Sequence, residues 1–177
     1  MRIKPHLNGA LLYVCQISLT SRFQPKPSHF VSIHDTFRFC DYMTAMIQLR
    51  SMLGHCPHCG EETFIEPDVT NQTCIDCERP IAKPMVLKID QYRIPLFEGQ
   101  RIYHVQLPID GDINAVVGEV VPNTVTGRLG IKNYSTFTWL AIDPVGTVHN
   151  VAPEAGMPIK NEMKIKFKMS INGLIIR

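Results

Sequence analysis

The chain has little net charge and no long uncharged apolar run. Its 177 residues carry a formal net charge of +2, which is too small to predict a nucleic-acid or anionic-membrane partner on charge alone. No stretch approaches the roughly 18 uncharged apolar residues that a membrane span requires. The sequence also lacks a glycine-rich phosphate loop and any set of nucleophile, base and orienting residue. We therefore expect a protein that neither spans a membrane nor acts as an enzyme.

An export signal is weakly imitated at the start of the chain. Arg2 and Lys4 precede the apolar run 9–15, as in a secretory leader. Pro5 and Asn8 interrupt the pattern, and no cleavage site with small residues follows. We expect a cytoplasmic protein.

Four cysteines form the strongest motif in the sequence. Cys56-Pro-His-Cys59 and Cys74-Ile-Asp-Cys77 are two C-x-x-C pairs separated by a short polar segment. This spacing lets the chain turn back within each pair, so that the four sulfurs converge on one ion. Zinc is the usual ion for a set of four cysteines. Gly60 directly after the first pair suits the turn, because glycine adopts positive φ freely. The pattern predicts a zinc ribbon with one structural Zn²⁺, whose four thiolates leave no open position for catalysis.

Two alternatives to this ligand set remain. His55 and His58 flank the first pair and are able to replace a cysteine as ligand, and two disulfides would use the same four sulfurs. Cys15 and Cys40 lie outside the pattern, and we interpret them as small buried apolar residues.

The texture of the sequence divides the chain into a poorly defined segment 1–35, an amphipathic helix 36–54, the ribbon 55–84 and a β-sandwich 85–177. In the helical segment apolar residues recur every three or four positions, with Asp35 as the expected N-cap and Gly54 as the stop. We expect these apolar side chains to be buried in the core. If they are exposed, they imply a partner or a missing domain.

From residue 85 onward the period is two, as in an antiparallel sandwich. The predicted strands cover 85–89, 92–96, 102–107, 115–121, 129–132, 136–142, 147–151, 163–169 and 174–176. Asn172-Gly173 is expected to form the turn of a terminal hairpin. Lys164, Lys166 and Lys168 alternate with apolar residues, and we interpret them as a solvent face that also protects a strand edge; a basic stripe for an anionic ligand is the alternative.

The end of the chain resembles a known arrangement. The segments 120–122, 130–135, 138–139 and 144–146, with the last hairpin, are similar to a forkhead-associated type sandwich. Together with the Cys-Pro-x-Cys ribbon they resemble the C-terminal region of certain bacterial serine/threonine protein kinases. The resemblance covers roughly 41–177 and implies that 41–53 corresponds to the last helix of a kinase domain. The fold class we expect is mostly β with a short α segment: a zinc ribbon followed by an antiparallel, forkhead-associated-like sandwich.

The resemblance implies a function without catalysis, because the chain has none of the kinase catalytic motifs. Ala152-Pro153-Glu154 imitates one of them inside the β region and is interpreted as coincidence. We expect a regulatory or protein-interaction module whose partner is a kinase domain or a phosphoprotein. Alternatively, the chain is a fragment of a longer kinase.

Phosphothreonine recognition is the alternative function. Forkhead-associated domains bind the phosphate with arginine, serine and asparagine side chains, and Arg128, Asn133 and Ser135 are the candidates here.

Two further functions are weaker. A nucleic-acid role for the ribbon is disfavoured by its acidic balance, which comprises Glu61, Glu62, Glu66, Asp68, Asp76 and Glu78 against Arg79. An enzymatic role would rest on Asp110, Asp112, His104 and His149, which are more simply surface acids and strand histidines.

Overall fold

The computed structural model describes residues 42, 45–107, 112, 114–168 and 171–177. The segment 1–35, the cysteines 15 and 40, and Asp110 lie outside these residues. The described part is mostly β-strand with one short helix, and every strand pair is antiparallel. The predicted fold class, mostly β with a short α segment, is confirmed. Within the described residues, no helix is both long and apolar enough to cross a membrane.

The elements follow one another along the chain as a helix, two small hairpins and a sandwich. Helix α1 covers residues 45–52, and residue 42 is also helical. The strands are β1 (Leu53–His55), β2 (Glu62–Phe64), β3 (Gln72–Thr73), β4 (Pro80–Ile81), β5 (Met85–Ile89), β6 (Tyr92–Leu96), β7 (Arg101–Tyr103), β8 (Val116–Pro122), β9 (Leu129–Asn133), β10 (Trp139–Ile142), β11 (Val148–Val151), β12 (Gly156–Pro158), β13 (Lys164–Lys168) and β14 (Ile171–Ile176).

Two sheets enclose the main core. One has six strands in the order β11-β10-β13-β14-β5-β6, and the other has four in the order β12-β9-β8-β7. Alternate residues of both sheets point inward, so that Trp139 and Phe167 from the first sheet share a buried cluster with Val120 and Ile131 from the second. Trp139 meets Phe167 edge to face, with ring centroids 5.0 Å apart. The core therefore lies between the sheets, and the cysteine-bearing hairpins lie outside it.

The helix ends earlier than the sequence suggested. Helical structure stops at residue 52, and Leu53–His55 pairs with Glu62–Phe64 as a hairpin. Gly54 was expected to stop the helix, but a Cβ atom there would lie 2.5 Å from the ring of Phe97. The glycine is thus required by a close approach between the ribbon and the sandwich.

The terminal hairpin is present, but its predicted turn is wrong. Asn172 and Gly173 lie inside β14, where Gly173 pairs with Ile165 on one side and Ile89 on the other. A Cβ atom at Gly173 would lie 2.9 Å from side-chain atoms of Leu87 and Phe167. This glycine makes room for the core.

The lysines of β13 face solvent, as expected. Lys164, Lys166 and Lys168 are exposed, and the intervening Ile165 and Phe167 are buried. The suggestion that they protect a strand edge is wrong, because β13 lies between β10 and β14.

Other strand boundaries differ from the predictions in detail. β5 and β6 have the predicted bounds, whereas the strand expected at 102–107 ends at Tyr103 and continues as a 3-10 turn, His104–Gln106. The strand expected at 136–142 is only β10. The short strands β3, β4 and β12 were not predicted.

Helix α1 is attached to the sandwich at its β6 edge. The side-chain amide of Gln48 donates to the carbonyl of Arg93 at 2.7 Å and accepts from the Arg93 amide at 3.2 Å. Gln106 Nε2 donates to the buried Ser51 hydroxyl at 2.7 Å, and Ile47 packs against the core. These contacts fix which side of the helix faces the sandwich.

Candidate metal centre

The first cysteine pair forms a tight knuckle after β1. The Gly60 amide donates to the Cys56 carbonyl at 2.9 Å, and the Cys56 amide donates to the Glu61 carbonyl at 2.8 Å. The His58 amide points at the Cys56 sulfur, 3.4 Å away. Gly60 has a φ of +80°, which is the conformation that its position in the sequence predicted.

The second pair repeats this geometry after β3. The Glu78 amide donates to the Cys74 carbonyl at 3.1 Å, the Cys74 amide donates to the Arg79 carbonyl at 2.9 Å, and the Asp76 amide points at the Cys74 sulfur. Glu78 stands where the first knuckle has Gly60, and its φ is +56°. The two knuckles are therefore equivalent structures, and the second adopts the left-handed conformation without a glycine.

The four sulfurs of Cys56, Cys59, Cys74 and Cys77 lie within 4.8 Å of one another. The Cys56–Cys77 and Cys59–Cys74 sulfur distances are both 3.7 Å. A tetrahedral ion with metal–sulfur bonds of about 2.3 Å requires sulfurs roughly 3.8 Å apart, whereas a disulfide requires about 2.05 Å. The cysteines are free thiols, so the disulfide alternative does not fit, and the four residues could hold a metal ion.

The electrostatics of the thiols favour a cation. Burial raises the pKa of Cys56, but the amides of Cys59 and His58 stabilise its thiolate and lower the pKa to about 6. At Cys59 the Glu61 amide lowers the pKa, but burial and the neighbouring thiols outweigh it and raise the pKa. Thiols this close do not ionise independently. A bound divalent cation is what allows all four to be thiolates together.

The two flanking histidines form hydrogen bonds to backbone carbonyls. His55 Nδ1 donates to the Gly60 carbonyl at 3.0 Å, and His58 Nε2 donates to the Pro80 carbonyl at 3.1 Å. Among the described residues, the only His, Cys, Asp or Glu cluster with metal-binding geometry consists of the four cysteines. His58 instead joins the first knuckle to β4, which follows the second knuckle.

The predicted phosphate-binding residues are not brought together at the surface. The Asn133 amide donates to the carbonyls of Phe137 and Val151, both at 2.9 Å, and its oxygen accepts from the Ser135 amide and hydroxyl. The Ser135 hydroxyl in turn accepts from Trp139 Nε1 at 3.0 Å. Both side chains are buried, so the network supports the core. Phosphate contact by these two residues is therefore not supported by the geometry.

Arg128 is placed differently. It is exposed at the end of the turn between β8 and β9, where its carbonyl accepts from the Asn123 amide at 2.8 Å. Its role as a phosphate ligand stays a prediction.

Two of the residues considered for catalysis, Asp112 and His149, have structural contacts. The Asp112 carboxylate accepts from the Asn114 amide at 3.0 Å. His149 lies 3.8 Å from Asp143, a residue that sequence reasoning did not select. Asp143 accepts from the amides of Val145 and Thr147 and so closes the β10–β11 turn. Burial raises the pKa of Asp143, but the Thr147 amide and the charge of Lys160 lower it overall.

A groove between the first knuckle and the end of the sandwich was missed by sequence reasoning. It has a volume of about 1010 Å³. It joins residues that are far apart in the sequence and share no motif, so no local signal marks it. Its main apolar side chains are Ile65, Ile81, Met85, Leu96, Phe97, Leu129 and Ile159.

Comparison of the chain with protein-family models, curated proteins and solved structures finds no match.

Proposed function

We propose that the metal is a single zinc ion held by Cys56, Cys59, Cys74 and Cys77, and that its role is structural. Four sulfur ligands in tetrahedral geometry are the preference of zinc. Four protein ligands leave no coordination position for water or substrate. The ion would cross-link the hairpin β1–β2 to the hairpin β3–β4, since these short hairpins have only a small buried cluster of their own, Cys56, Cys74 and Ile81.

We propose further that the chain is a non-catalytic interaction module of a kinase-type signalling protein. One observation carries this proposal: a row of large apolar side chains on α1 and the first hairpin is exposed. The exposed fractions are 59% for Tyr42, 45% for Met46, 44% for Leu49, 40% for Leu53 and 48% for Phe64. We call these five residues the apolar stripe.

The stripe runs from the helix onto the first hairpin. Met46 and Leu49 are three positions apart on α1, which places them on one side of the helix. Tyr42 is also helical, and Leu53 is the first residue of β1. Leu53 pairs directly with Phe64 across β1 and β2, so these two side chains lie on the same face. Contiguous exposed apolar surface of this kind marks sites of protein interaction.

The side of the helix opposite the stripe is attached to the sandwich. Ile47, Gln48 and Ser51 lie on the opposite side of the helix and contact the sandwich. A partner would therefore meet a surface that is already ordered, which reduces the entropy lost on binding.

A kinase domain is the partner we propose. In the kinases that the chain resembles, a ribbon directly follows the last helix of the kinase domain, and α1 precedes the ribbon here. An apolar helix face at this place is what a kinase domain would cover.

Photo-crosslinking in a lysate of the expressing cells tests the proposal. The bait is the zinc-loaded chain, either unchanged or with Met46→Ser and Leu49→Ser together, and captured proteins are identified by mass spectrometry. Val125→Ser is the matched control, because Val125 is 90% exposed outside the stripe. We expect capture of a protein with a serine/threonine kinase domain by the unchanged chain and the control, and loss of capture in the double variant. Equal capture by all three baits would contradict the stripe, and stripe-dependent capture of another protein class would contradict the kinase assignment.

Phosphothreonine recognition is the second candidate, supported by the exposed Arg128 alone. An array of matched threonine and phosphothreonine peptides, probed with the unchanged chain and with Arg128→Ala, decides it. Phosphate-dependent binding that Arg128→Ala abolishes would support this function. Equal binding to the threonine and phosphothreonine peptides would contradict it.

A further inference from the structure

The groove at the end of the sandwich has walls from separate parts of the fold. His55 at the end of β1 and Pro57 of the first knuckle form one side, and the connection 82–84 between ribbon and sandwich adjoins it. Further walls come from Phe97, directly after β6, and from Leu129, the first residue of β9. The described residues along these walls belong to both sheets and to the ribbon, so the groove exists only where the two units meet.

The groove walls are held in place by contacts that do not involve a ligand. The side chains of Phe97 and Ile65 both lie close to Gly54, where no Cβ would fit. The Ile65 amide donates to the Met52 carbonyl at 2.7 Å, and the Ile159 amide donates to the Leu129 carbonyl at 3.4 Å. The groove is thus a preformed feature, as ligand sites usually are.

The floor of the groove is apolar and incompletely covered. Met85, Phe97, Leu129 and Ile159 are all half-buried. Each of these side chains has apolar surface exposed to water, and a ligand that covers this surface gains binding free energy. None of these four belongs to the apolar stripe, so the groove is a second and independent surface.

The rim is basic. Lys83, Lys160 and Arg177 line the groove, with Glu98 as the one acidic residue. Neither Lys83 nor Lys160 lies within 4.0 Å of a carboxylate among the described residues, and the charge of Lys160 acts on Asp143 only from a longer distance. The charge of the rim is complementary to a ligand that carries carboxylates.

We propose that this groove binds an extended peptide segment in which apolar side chains are flanked by acidic residues. The apolar side chains would cover the floor, and the carboxylates would lie at Lys83 and Lys160. An elongated ligand fits because the groove volume of about 1010 Å³ lies at the upper limit of enclosed small-molecule pockets. Nucleic acid does not fit, because the adjoining first knuckle carries Glu61 and Glu62.

A synthetic peptide array on the zinc-loaded chain tests this assignment. The probes are nine-residue peptides with three central apolar residues and Asp or Glu at the flanks. One control array has Lys or Arg at the flanks, and the other has Ser at the three central positions. We expect binding only to the first array, and no binder tighter than about 1 mM would overturn the proposal.

Charge reversal locates the site. Lys83→Glu with Lys160→Glu should weaken the best acidic peptide about tenfold, because two favourable rim contacts become repulsive. Lys164→Glu with Lys166→Glu is the matched control on the outer face of the six-stranded sheet and should leave the affinity unchanged. Equal weakening by both pairs would mean that only net charge matters and would refute the groove.

Amide chemical-shift mapping with the bound peptide gives an independent readout. We expect shifts at residues 81–85, 96–99 and 159–161, and shifts confined to the outer sheet face or to the stripe would refute the assignment. The groove and the kinase-docking proposal fail separately. Met46→Ser with Leu49→Ser should reduce only the capture of the partner protein. Lys83→Glu with Lys160→Glu should reduce only the affinity for the peptide.

Discussion

Replacing Asn133 with alanine should destabilise the sandwich strongly. The Asn133 side chain makes four hydrogen bonds: two to the carbonyls of Phe137 and Val151 and two from the amide and hydroxyl of Ser135. At about 1 kcal/mol for each bond, and with buried groups left without partners, the loss should be about 4 kcal/mol. This is a large fraction of the 5–15 kcal/mol that is typical of whole domains.

The chain carries its own probe for this measurement. Trp139 is the single tryptophan, is fully buried and donates to Ser135 in the same network. Urea unfolding of the zinc-saturated protein, followed by tryptophan fluorescence, gives the free energy of unfolding of the sandwich.

Asn123→Ala is the matched control. Asn123 Oδ1 also accepts three hydrogen bonds, from the Val125 amide and from the amide and hydroxyl of Thr126, but in an exposed turn. Water replaces these partners, so the control should cost no more than about 1 kcal/mol. A loss below about 1 kcal/mol for Asn133→Ala, with an unchanged urea dependence, would refute the reasoning and reopen a binding role for Asn133.

Four further substitutions have defined outcomes. Cys74→Ser should abolish stoichiometric zinc in metal analysis and leave the tryptophan fluorescence of the sandwich native; full zinc retention would contradict the ligand set. Gly60→Ala should weaken zinc binding in chelator competition by about 1 kcal/mol, because φ is +80°, whereas Glu78→Gly, at +56°, should not weaken it; similar losses in both would count against equivalent knuckles. Gly173→Ala should lower the free energy of unfolding by about 1–3 kcal/mol through a clash with Phe167, and native stability in this variant would disprove the close approach.

The sequence was most informative where the structure is determined locally. The two C-x-x-C pairs specify their own turns, and the alternation in β13 specifies which side chains are buried. These features depend on neighbours within a few residues, and they were predicted correctly.

Contacts between distant segments account for the main errors. Gly54 was interpreted as a helix stop and Gly173 as a turn residue, because glycine is favoured at both kinds of site. Both glycines instead accommodate side chains from elsewhere in the chain, Phe97 and Phe167. A single sequence does not separate a glycine that allows a turn from one that allows close packing. Asn133 and Ser135 were interpreted as loop donors on the basis of the resemblance. Their burial depends on contacts with the other sheet, such as the bond from Asn133 to the Val151 carbonyl, which no local pattern predicts.

The pairing of Gln48 with Arg93 affects how the sandwich avoids aggregation. β6 is an outer strand of its sheet, and the outward amide and carbonyl of Arg93 are used by one glutamine side chain. Pro95, two residues further along the same strand, has no amide hydrogen and cannot donate a hydrogen bond to another strand. Exposed strand edges recruit other chains into intermolecular sheets. The helix therefore acts as a built-in safeguard for this edge, and a shortened chain that begins at Met85 should be prone to forming aggregates through β6.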